Sequence, residues 1–399
     1  MRTENLKVKI VTGLTMTALL GSCVNGNNAG KDTVTDNFDA QLVAVQQNAN
    51  GKWSFMAPNG DMVCRDAFGQ QPSPVLNGYF SVMGDDSLYT VYKYGEKPQA
   101  LKNLSGLKAV GFMNEDIMPV VRKGERISYV DKDGNVKFTL NPYNGHEITR
   151  SPTIVHEGMV WIYTDENRYG YANTEGKVVI APDYLDVNPF YEDRAVVQDA
   201  DKNGGAGAYH VIDKTGKIIF SPDSSLTPMF VYHNGLLAAS DKQGGFTFFD
   251  RSGKVAHKIN RPIKKVVDYN AKYIIYHNDE GTGLMTFDGK EIIKAGKYND
   301  IQFVGNDEFL ASNSDRSVVM KEDGKELRSF KGRVVYNKSF GFVRIENEKL
   351  QNMGIFDFIK VDSGQKTFID KNGKETSFQN AGDFGALPIV PIFSDYKHE

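Results

Sequence analysis

The sequence predicts an all-β protein built from a repeated unit, and two observations support this prediction. A short motif recurs along the chain, and its glycines Gly134, Gly176 and Gly216 are 42 and 40 residues apart. A fixed period of this size is typical of repeat architectures. Between the motifs lie short runs rich in Val, Ile, Tyr and Phe that are bounded by turn residues, which indicates strands. Outside the first residues, no window sustains a long amphipathic helical period.

The motif predicts a tight β-hairpin. Two β-prone residues end a strand, an Asp caps the turn with its side chain, and a Gly in the left-handed conformation closes the loop. The cleanest copies are residues 129–134 (YVDKDG), 211–216 (VIDKTG), 248–253 (FFDRSG) and 368–373 (FIDKNG). Gly95 is a weak member, because its motif lacks the Asp. The predicted turn glycines are Gly60, Gly95, Gly134, Gly176, Gly216, Gly253, Gly289, Gly324 and Gly373.

One complete unit indicates the internal layout. Strands are predicted at residues 168–174, 177–181, 184–190 and 194–198. Four strands in ~40 residues is the blade size of a β-propeller. The sequence therefore predicts a β-propeller of about eight four-stranded blades. An open solenoid of stacked β-hairpins satisfies the same period and is the alternative.

The two ends of the repeat region favour a closed ring. Residues 41–46 (QLVAVQ) resemble the last strand of the unit, residues 194–198, although they precede the first turn motif. The chain is therefore expected to begin with the last strand of one unit and to end with the earlier strands of another, so that both ends share a blade. Residues 387–393 (LPIVPIF) could dock at the same place, but their prolines restrict them to a sheet edge.

The first 22 residues are interpreted as a signal peptide. Arg2, Lys7 and Lys9 precede an apolar stretch at residues 10–20, which is too short to span a membrane. The stretch ends Leu-Gly-Ser-Cys23, which resembles the lipobox of bacterial lipoproteins, and this resemblance implies acylation of Cys23. Residues 23–38 are predicted to be a flexible tether, and residues 39–399 a single β domain.

Resemblance to sorted lipoproteins also suggests a location. Val24, rather than Asp, follows Cys23, and this implies outer-membrane sorting in a Gram-negative cell. The acidic run that marks surface export in many Bacteroidetes lipoproteins is missing. We therefore expect a lipid-anchored protein of the cell envelope, at the outer membrane and facing the periplasm.

The sequence offers no catalytic, metal or cofactor motif. If Cys23 is acylated, Cys64 is the one remaining thiol, and it is expected to be a buried small hydrophobe. His146–Glu147 and His156–Glu157 look like acid/base pairs but fall in loop-like, unit-specific sequence. Residues 131–135 (DKDGN) open like a calcium loop, yet the later ligand positions are wrong, so the hairpin turn explains them better.

Charge argues against nucleic-acid binding. The chain has 47 Lys and Arg against 50 Asp and Glu, interspersed and without blocks. A nucleic-acid partner would require a basic patch or stripe. The abundant aromatic residues recur in register within the repeat, as Tyr129, Tyr171, Phe248 and Phe368 do, and are therefore expected in the core.

Residues 168–182 (RYGYANTEGKVVIAP) and their continuation to residue 197 resemble the WG-repeat (KWG-repeat) family. Units of that family have an aromatic-Gly strand, a turn with Gly-Lys, an apolar strand with Pro and Tyr, and an Ala-Val strand. The resemblance covers roughly residues 51–374 but departs from the family in one respect. No Trp-Gly dipeptide occurs, and Tyr169-Gly170 stands in its place. Membership implies repeats and binding rather than an activity.

Three functions remain open. The first is a non-catalytic binding or scaffold lipoprotein, anchored in the membrane through Cys23, whose loops hold a protein or a cell-envelope glycan. The second is an accessory subunit of an envelope complex, for which residues 350–358 could supply an apolar face. The third is a propeller enzyme acting on polysaccharide or peptide, which would require three or more carboxylates or His converging at the axis on one surface.

Overall fold

The structure is a computed structural model that describes residues 40–95, 97–229, 231–305, 307–345, 351–352, 359–360, 365–382, 384, 387 and 389–397. The predicted signal peptide, Cys23 and the tether lie outside these residues. Within them the chain forms antiparallel strands and a single-turn 3-10 helix at Lys102–Leu104.

The strands are grouped into sheets that we call blades 1 to 9. Blade 1 contains β1 (Val43–Gln46), β2 (Trp53–Met56) and β3 (Met62–Phe68). Blade 2 contains β4 (Tyr79–Met83), β5 (Tyr89–Lys93) and β6 (Gln99–Ala100). Blade 3 contains β7 (Ala109–Val110), β8 (Met118–Val121), β9 (Ser128–Val130) and β10 (Val136–Thr139). Blade 4 contains β11 (Ile148–Pro152), β12 (Met159–Thr164), β13 (Tyr169–Asn173) and the first part of β14 (Val178–Val187). Blade 5 contains the second part of β14, β15 (Ala195–Ala200), β16 (Ala206–Ile212) and β17 (Ile218–Phe220).

The second half of the chain continues in the same manner. Blade 6 contains β18 (Thr227–Pro228), β19 (Leu236–Ser240), β20 (Phe246–Asp250) and β21 (Val255–Ile259). Blade 7 contains β22 (Lys265–Tyr269), β23 (Tyr273–Asn278), β24 (Gly281–Thr286) and β25 (Glu291–Tyr298). Blade 8 contains β26 (Asp300–Phe303), β27 (Glu308–Ser312), β28 (Arg316–Lys321) and β29 (Glu326–Lys331). Blade 9 contains β30 (Val334–Asn337), β31 (Gly341–Ile345), β34 (Lys366–Ile369) and β35 (Glu375–Phe378). Two short strands, β32 (Gln351–Asn352) and β33 (Ile359–Lys360), pair with each other, and the C-terminal segment contains β36 (Asn380–Ala381) and β37 (Pro391–Phe393).

Most blades are four-stranded antiparallel sheets whose strands follow in chain order from the axis to the rim. The second strands are the most buried and the fourth strands, such as β10, β17 and β29, the most exposed. Blade 2 has three regular strands, and an isolated bridge from Pro72 to Val82 takes the place of its first. Blades 4 and 5 share the long strand β14 and so form one continuous sheet.

Nine hydrophobic clusters join the blades within the described residues, one at each boundary between neighbours. The last of them packs blade 9 against blade 1 and includes Val343, Phe368 and Val45. The ring is therefore closed, and the architecture is the predicted β-propeller rather than an open solenoid. Each predicted turn glycine marks the hairpin between the third and fourth strands of one blade. The described residues form nine blades, where about eight were expected.

The predicted turn chemistry is confirmed at atomic detail. Asp213 Oδ1 accepts hydrogen bonds from the backbone N–H groups of Thr215 at 2.9 Å and Lys217 at 3.2 Å, and Gly216 has a φ of 83°. The potential calcium loop at Asp131 is the same turn, because Asp131 Oδ1 accepts from two backbone N–H groups there. Gly95, the weak member of the series, does not adopt the left-handed conformation.

The repeat seen in the sequence is out of phase with the blades. Residues 168–198 were interpreted as the four strands of one unit, but β13 belongs to blade 4 and β15 to blade 5. The second and third predicted strands are a single strand, β14, which pairs with β13 through Ile180 and with β15 through Val187. The physical reason is that no turn interrupts the chain near Pro182: the register against β13 shifts between Ile180 and Tyr184, and the same strand goes on to pair with β15.

Closure occurs at blade 1, whose first strand comes from the C-terminal end of the chain. β36 pairs with β1, with Ala381 opposite Val45. The prediction that the two ends share a blade is thus confirmed, but the order differs. β1 is the second strand of its blade, as is β15, which explains why residues 41–46 resemble residues 194–198.

The C-terminal segment continues past the closing blade. β37 adds to the free edge of β11 in blade 4, with Ser151 opposite Ile392, and Leu387 packs against Ile154 and Leu76 near the first strands of blades 4 and 2. This segment therefore lies along the channel side of blades 2 to 4 instead of docking at blade 1. The sheet-edge position expected from its prolines is observed.

The predicted insertion in the last unit lies between β31 and β34. The short strands β32 and β33 pair there, while the rest of residues 346–364 lies outside the described residues. The proposed apolar face of residues 350–358 also falls almost entirely outside them.

Candidate functional site

Two faces of the ring are defined by its loops. The first face carries the turns between first and second strands and between third and fourth strands of each blade. The second face carries the turns between second and third strands and the connections between blades. Any converging carboxylates expected of an enzyme would have to lie on one of these two faces near the axis.

Acidic residues do occur near the axis on the first face, in turns between first and second strands. Glu157 and Glu192 occupy left-handed positions with φ of 52° and 54°. Each binds the next blade: the Glu157 carboxylate accepts from Glu192 N at 2.6 Å and Asp193 N at 2.9 Å, and Glu192 accepts from Gly235 N at 3.0 Å. Glu115 likewise accepts from Gly158 N at 2.8 Å. These carboxylates connect neighbouring blades, so they do not form the catalytic cluster that an enzyme would need.

An open cleft of about 560 Å³ lies on the same face between blades 3 and 4. Its walls include Glu115, Asp116, Asp131 and Lys132. The acidic groups have structural partners: Asp116 pairs with Lys132 at 2.7 Å, and hydrogen bonds from the turn backbone lower the pKa of Asp131. The cleft therefore reflects the packing of two turns.

The two His–Glu pairs of the sequence have separate environments. His156 is buried, its Nδ1 contacts the backbone oxygen of Phe190, and its ring lies 4.1 Å from that of Tyr191. His146 lies near the surface, within 3.3 Å of an oxygen of Asp165. Glu147 forms a two-pronged ion pair with Arg126 at 2.6 and 2.7 Å. Neither pair forms an acid/base unit.

The most distinctive surface lies on the second face, at the mouth of the crevice between blades 4 and 5. Six residues on adjacent strands stand directly opposite one another in register, so their side chains share one side of the sheet. We call this row the aromatic stripe; it consists of Phe393, Arg150, Tyr163, Tyr169, Tyr184 and Asp199.

Contacts within the stripe join aromatic rings to one another, at a tilt of 55° between Tyr163 and Tyr169, and to a guanidinium group. The Arg150 guanidinium lies 4.5 Å from the ring centre of Tyr163 and 5.2 Å from that of Phe393. The rings of Tyr163 and Tyr169 are 4.5 Å apart. Phe393 is 55% exposed, and the other five residues are half-buried. Burial and then the charge of Asp199 raise the pKa of Tyr184, which keeps its hydroxyl protonated at neutral pH.

The stripe is one side chain wide. Two positions further along the same strands stand Ile148, Trp161 and Tyr171, which are buried in the cores on either side of blade 4. On the other side of Tyr163 and Tyr169 the chain turns through residues 165–167. The stripe is therefore a narrow, accessible row at the edge of a packed core.

Gly170 explains why an aromatic-glycine pair stands at this position. A Cβ on Gly170 would lie 2.5 Å from the backbone oxygen of Ile180 and 2.7 Å from the nitrogen of Pro182. Only glycine allows β14 to pass this close as it crosses between blades. The neighbouring Tyr169 is thereby held in the middle of the stripe.

A line of hydrogen bonds extends the stripe across blade 5. Asp199 Oδ2 lies 2.9 Å from His210 Nε2, and Ser221 Oγ lies 2.6 Å from His210 Nδ1. These residue types can form a nucleophile, a base and an orienting group. However, the residue after Ser221 is Pro222, which has no N–H to donate to a developing oxyanion. The line therefore supplies hydrogen-bonding groups rather than a complete hydrolytic site.

Sequence reasoning missed both the stripe and this line. Most of their members are distant in the chain: Asp199 and His210 are 11 residues apart, and Arg150 and Phe393 are more than 200 apart. The one signal in the sequence was the aromatic residue before Gly170, which the repeat pattern singled out without showing its neighbours. Trp53 and Trp161, the two tryptophans, are buried.

The remaining site predictions concern the cysteines and charged groups. Cys64 is half-buried, and burial raises the pKa of its thiol, which opposes reactivity. The proposed acylation site Cys23 lies outside the described residues. In the described ranges no helix has the length and apolarity to cross a membrane, and no cluster of His, Cys, Asp and Glu there could hold a metal ion.

Comparison with known proteins gives the fold and one repeat. None of the curated proteins matches this chain. The crystal structure of a eukaryotic initiation factor is similar with a TM-score of 0.52 and 9% identity, covering 89% of this chain and 98% of that one. BamB from Moraxella catarrhalis is 14% identical over 78% of this chain and 94% of its own, with a TM-score of 0.39. The C-terminal WD40 domain of Sif2 is 10% identical over 85% and 97%, with a TM-score of 0.35.

Likeness at such low identity reports the fold and nothing of the ligand. The family comparison is more specific, because it matches the WG containing repeat to residues 169–202. This range begins at Tyr169 in the aromatic stripe and ends just after β15. Residues 169–202 are thus a WG-containing repeat, which joins two blades of a β-propeller.

Proposed function

We propose that this protein is a non-catalytic binding module of the cell envelope that holds a protein or a glycan through the aromatic stripe. The observation that carries the proposal is the row itself: Arg150, Tyr163, Tyr169 and Tyr184 remain accessible on a surface whose neighbours are buried. Tyrosine and arginine are the side chains that contribute most to recognition surfaces.

The same proposal includes the membrane anchor. Acylation of Cys23 would attach the chain to the outer membrane, on its periplasmic side, and residues 24–38 would separate the ring from the bilayer. Two or more acyl chains are needed for stable attachment. The motif Leu-Gly-Ser-Cys23 supports this part of the proposal.

An affinity capture experiment tests the binding function. The full chain carries a C-terminal tag on a long linker and is recovered from gently solubilised native envelope, beside a Phe393→Ala variant. We expect a co-purifying protein or glycan that is depleted with Phe393→Ala. Leu327→Ala is the matched control, because Leu327 is 42% exposed on β29 of blade 8, far from the stripe.

Recovery of the same material with both variants would show that the stripe does not bind it, and a protein that comes back alone would contradict the binding function. The anchor is tested separately by phase partition in detergent. The wild-type chain should enter the detergent phase, and Cys23→Ala should remain in the aqueous phase. Equal partition of the two would refute acylation at Cys23.

A further inference from the structure

We infer that the ligand of the aromatic stripe is a linear, uncharged glycan chain, an inference that rests on the proposed binding function. The first argument is the shape of the surface. The row from Phe393 to Tyr184 crosses four strand spacings of blade 4, or about 19 Å, and Asp199 continues it on blade 5. A row this long and one side chain wide fits an extended polymer.

The narrowness of the stripe argues against a folded protein as the ligand. A stable protein interface takes about 800 Å² from each partner and surrounds its central residues with a polar rim. Here the flanking positions Trp161 and Tyr171 are buried, so the exposed surface beside Tyr163 and Tyr169 is limited to the turn at residues 165–167. A peptide adding as a strand is also disfavoured, because the strands that carry Tyr163, Tyr169 and Tyr184 are already paired on both sides.

Chemistry favours a sugar chain over the remaining polymers. The faces of aromatic rings carry a negative partial charge that attracts the C–H groups on one face of a sugar ring. Hydroxyl groups at the edge of that ring need both donors and acceptors, and Arg150, next to Phe393, and Asp199, at the other end of the stripe, supply them.

Charge defines which glycan fits. The stripe has one cation, Arg150, whose guanidinium lies against two rings, and one carboxylate, Asp199, which contacts His210. A polyanion would require several cations along its path. Asp183 and Asp186 stand beside Tyr184 on β14 and add negative charge, so a polyanion is disfavoured and an uncharged chain fits the stripe.

The Asp199–His210–Ser221 line has a role in this arrangement. In the tautomer in which His210 donates its Nε2–H to Asp199, its Nδ1 accepts from the Ser221 hydroxyl. Ser221 is exposed, so its oxygen can accept a hydrogen bond from a sugar hydroxyl that extends past Tyr184. The line thereby lengthens the polar end of the site.

Titration calorimetry with oligosaccharides tests the inference. The full chain with Cys23→Ala, which removes the anchor, is titrated with cello-oligosaccharides and chito-oligosaccharides of increasing length. Affinity should rise with length and level off at about five sugar rings, if one ring spans about one strand spacing. Salt should have little effect, because no ion pairs form.

Variants locate the binding. Phe393→Ala and Tyr163→Ala should each weaken binding by about threefold to tenfold, the range expected from loss of one aromatic contact. Leu327→Ala should bind as the wild type does. Circular dichroism of each variant confirms that the fold is retained, and Phe393→Ala removes an exposed side chain, so it should not unfold the protein.

Three outcomes would overturn the inference. In the first, neither oligosaccharide series binds, but envelope capture yields a protein that is lost with Phe393→Ala. This result would reject the glycan as the ligand and leave the binding function intact. No ligand by either route would reject both. Glycan binding that both stripe variants retain would place the site elsewhere on the ring.

Discussion

The ring is joined in two different ways, and the comparison of these joints shows how a repeat protein closes. Between blades 4 and 5 a single strand, β14, belongs to both sheets, so the joint is covalent and continuous. The closing joint lies inside blade 1, whose first and second strands are not connected by the chain: β36 follows β35 of blade 9 after one residue, whereas β1 begins the described chain. There β36 arrives from the other end of the chain and pairs with β1.

The two joints also differ in their cores. The blade 4–5 core contains Tyr171, which donates to the backbone oxygen of Asn188 at 2.7 Å, and Phe190, whose ring lies 4.9 Å from that of Tyr171. The blade 9–1 core is built around Phe368 and Phe384. A buried lysine, Lys366, donates to the backbone oxygen of Ala381 at 2.6 Å and so ties β34 to the closing strand. The blade 4–5 joint has the half-buried aromatic stripe at its edge, whereas the closing joint is built from fully buried side chains.

Replacing one phenylalanine by alanine in each core should show that the two joints respond differently to the same loss of packing. Phe384→Ala and Phe190→Ala each remove a buried ring and should cost about 3–5 kcal/mol of unfolding free energy. We expect hydrogen exchange of β1 and β36 to rise selectively with Phe384→Ala, because β1 and β36 are joined only by non-covalent contacts, whereas β14 is one continuous strand in both of its blades. Exchange mass spectrometry with urea unfolding measures both effects. Selective opening of blade 1 in Phe190→Ala as well would refute the distinction.

Gly170→Ala should damage the covalent joint. The new Cβ would meet backbone atoms of Ile180 and Pro182, which cannot move as a flexible side chain would, so a loss of about 1–3 kcal/mol is expected. Denaturant unfolding measures the loss. The control is Gly69→Ala, because a Cβ at Gly69 meets nothing within 4 Å. Equal stability of the two variants would show that β14 can shift at no cost.

Lys366→Met should weaken the closing joint. Met keeps much of the apolar stem but removes the donor to the Ala381 oxygen, and loss of a buried hydrogen bond costs about 1–3 kcal/mol. Exchange of β36 should increase more than exchange of β14. Lys331→Met, on the exposed end of β29, controls for the change of residue type. Unchanged exchange at β36 would show that the hydrogen bond does not hold the closing strand.

The smallest effect is expected from Tyr171 in the blade 4–5 core, and it should appear only at alkaline pH. Burial raises the pKa of Tyr171 well above 10, so the folded state keeps its proton where the unfolded state loses it. The stabilisation is therefore complete below pH ~10 and declines as the pH rises above that value. The urea midpoint of the wild type should fall more steeply above pH ~10 than that of Tyr171→Phe. Parallel slopes for the two proteins would contradict this assignment.

The sequence allowed much of the fold to be predicted because its turns are local. Asp131, Asp213 and Asp370 each bind backbone groups two and four residues ahead, so a six-residue window contains the whole structure of the turn. The phase of the blades could not be predicted in this way. Whether β14 stops at Pro182 or crosses into the next sheet depends on β13 and β15 together.

The aromatic stripe was less predictable. Tyr169 could be singled out by its place before Gly170, but its stripe neighbours Phe393 and Arg150 lie on strands that meet only after the C-terminal segment has crossed the channel side of the ring. The acidic residues near the axis posed the opposite problem. Glu157 and Glu192 could have been catalytic in type and position, and only their contacts with the next blade show that they are structural.

The sequence by itself determined the all-β class, the repeat length, the turn positions and the sharing of one blade by the two ends. These features follow from interactions between residues close in the chain and from their repetition. Only the tertiary structure decided the blade phase, the path of residues 387–393 and the formation of the aromatic stripe. Each of these depends on strands that are far apart in sequence, and their pairing is fixed by closing the ring.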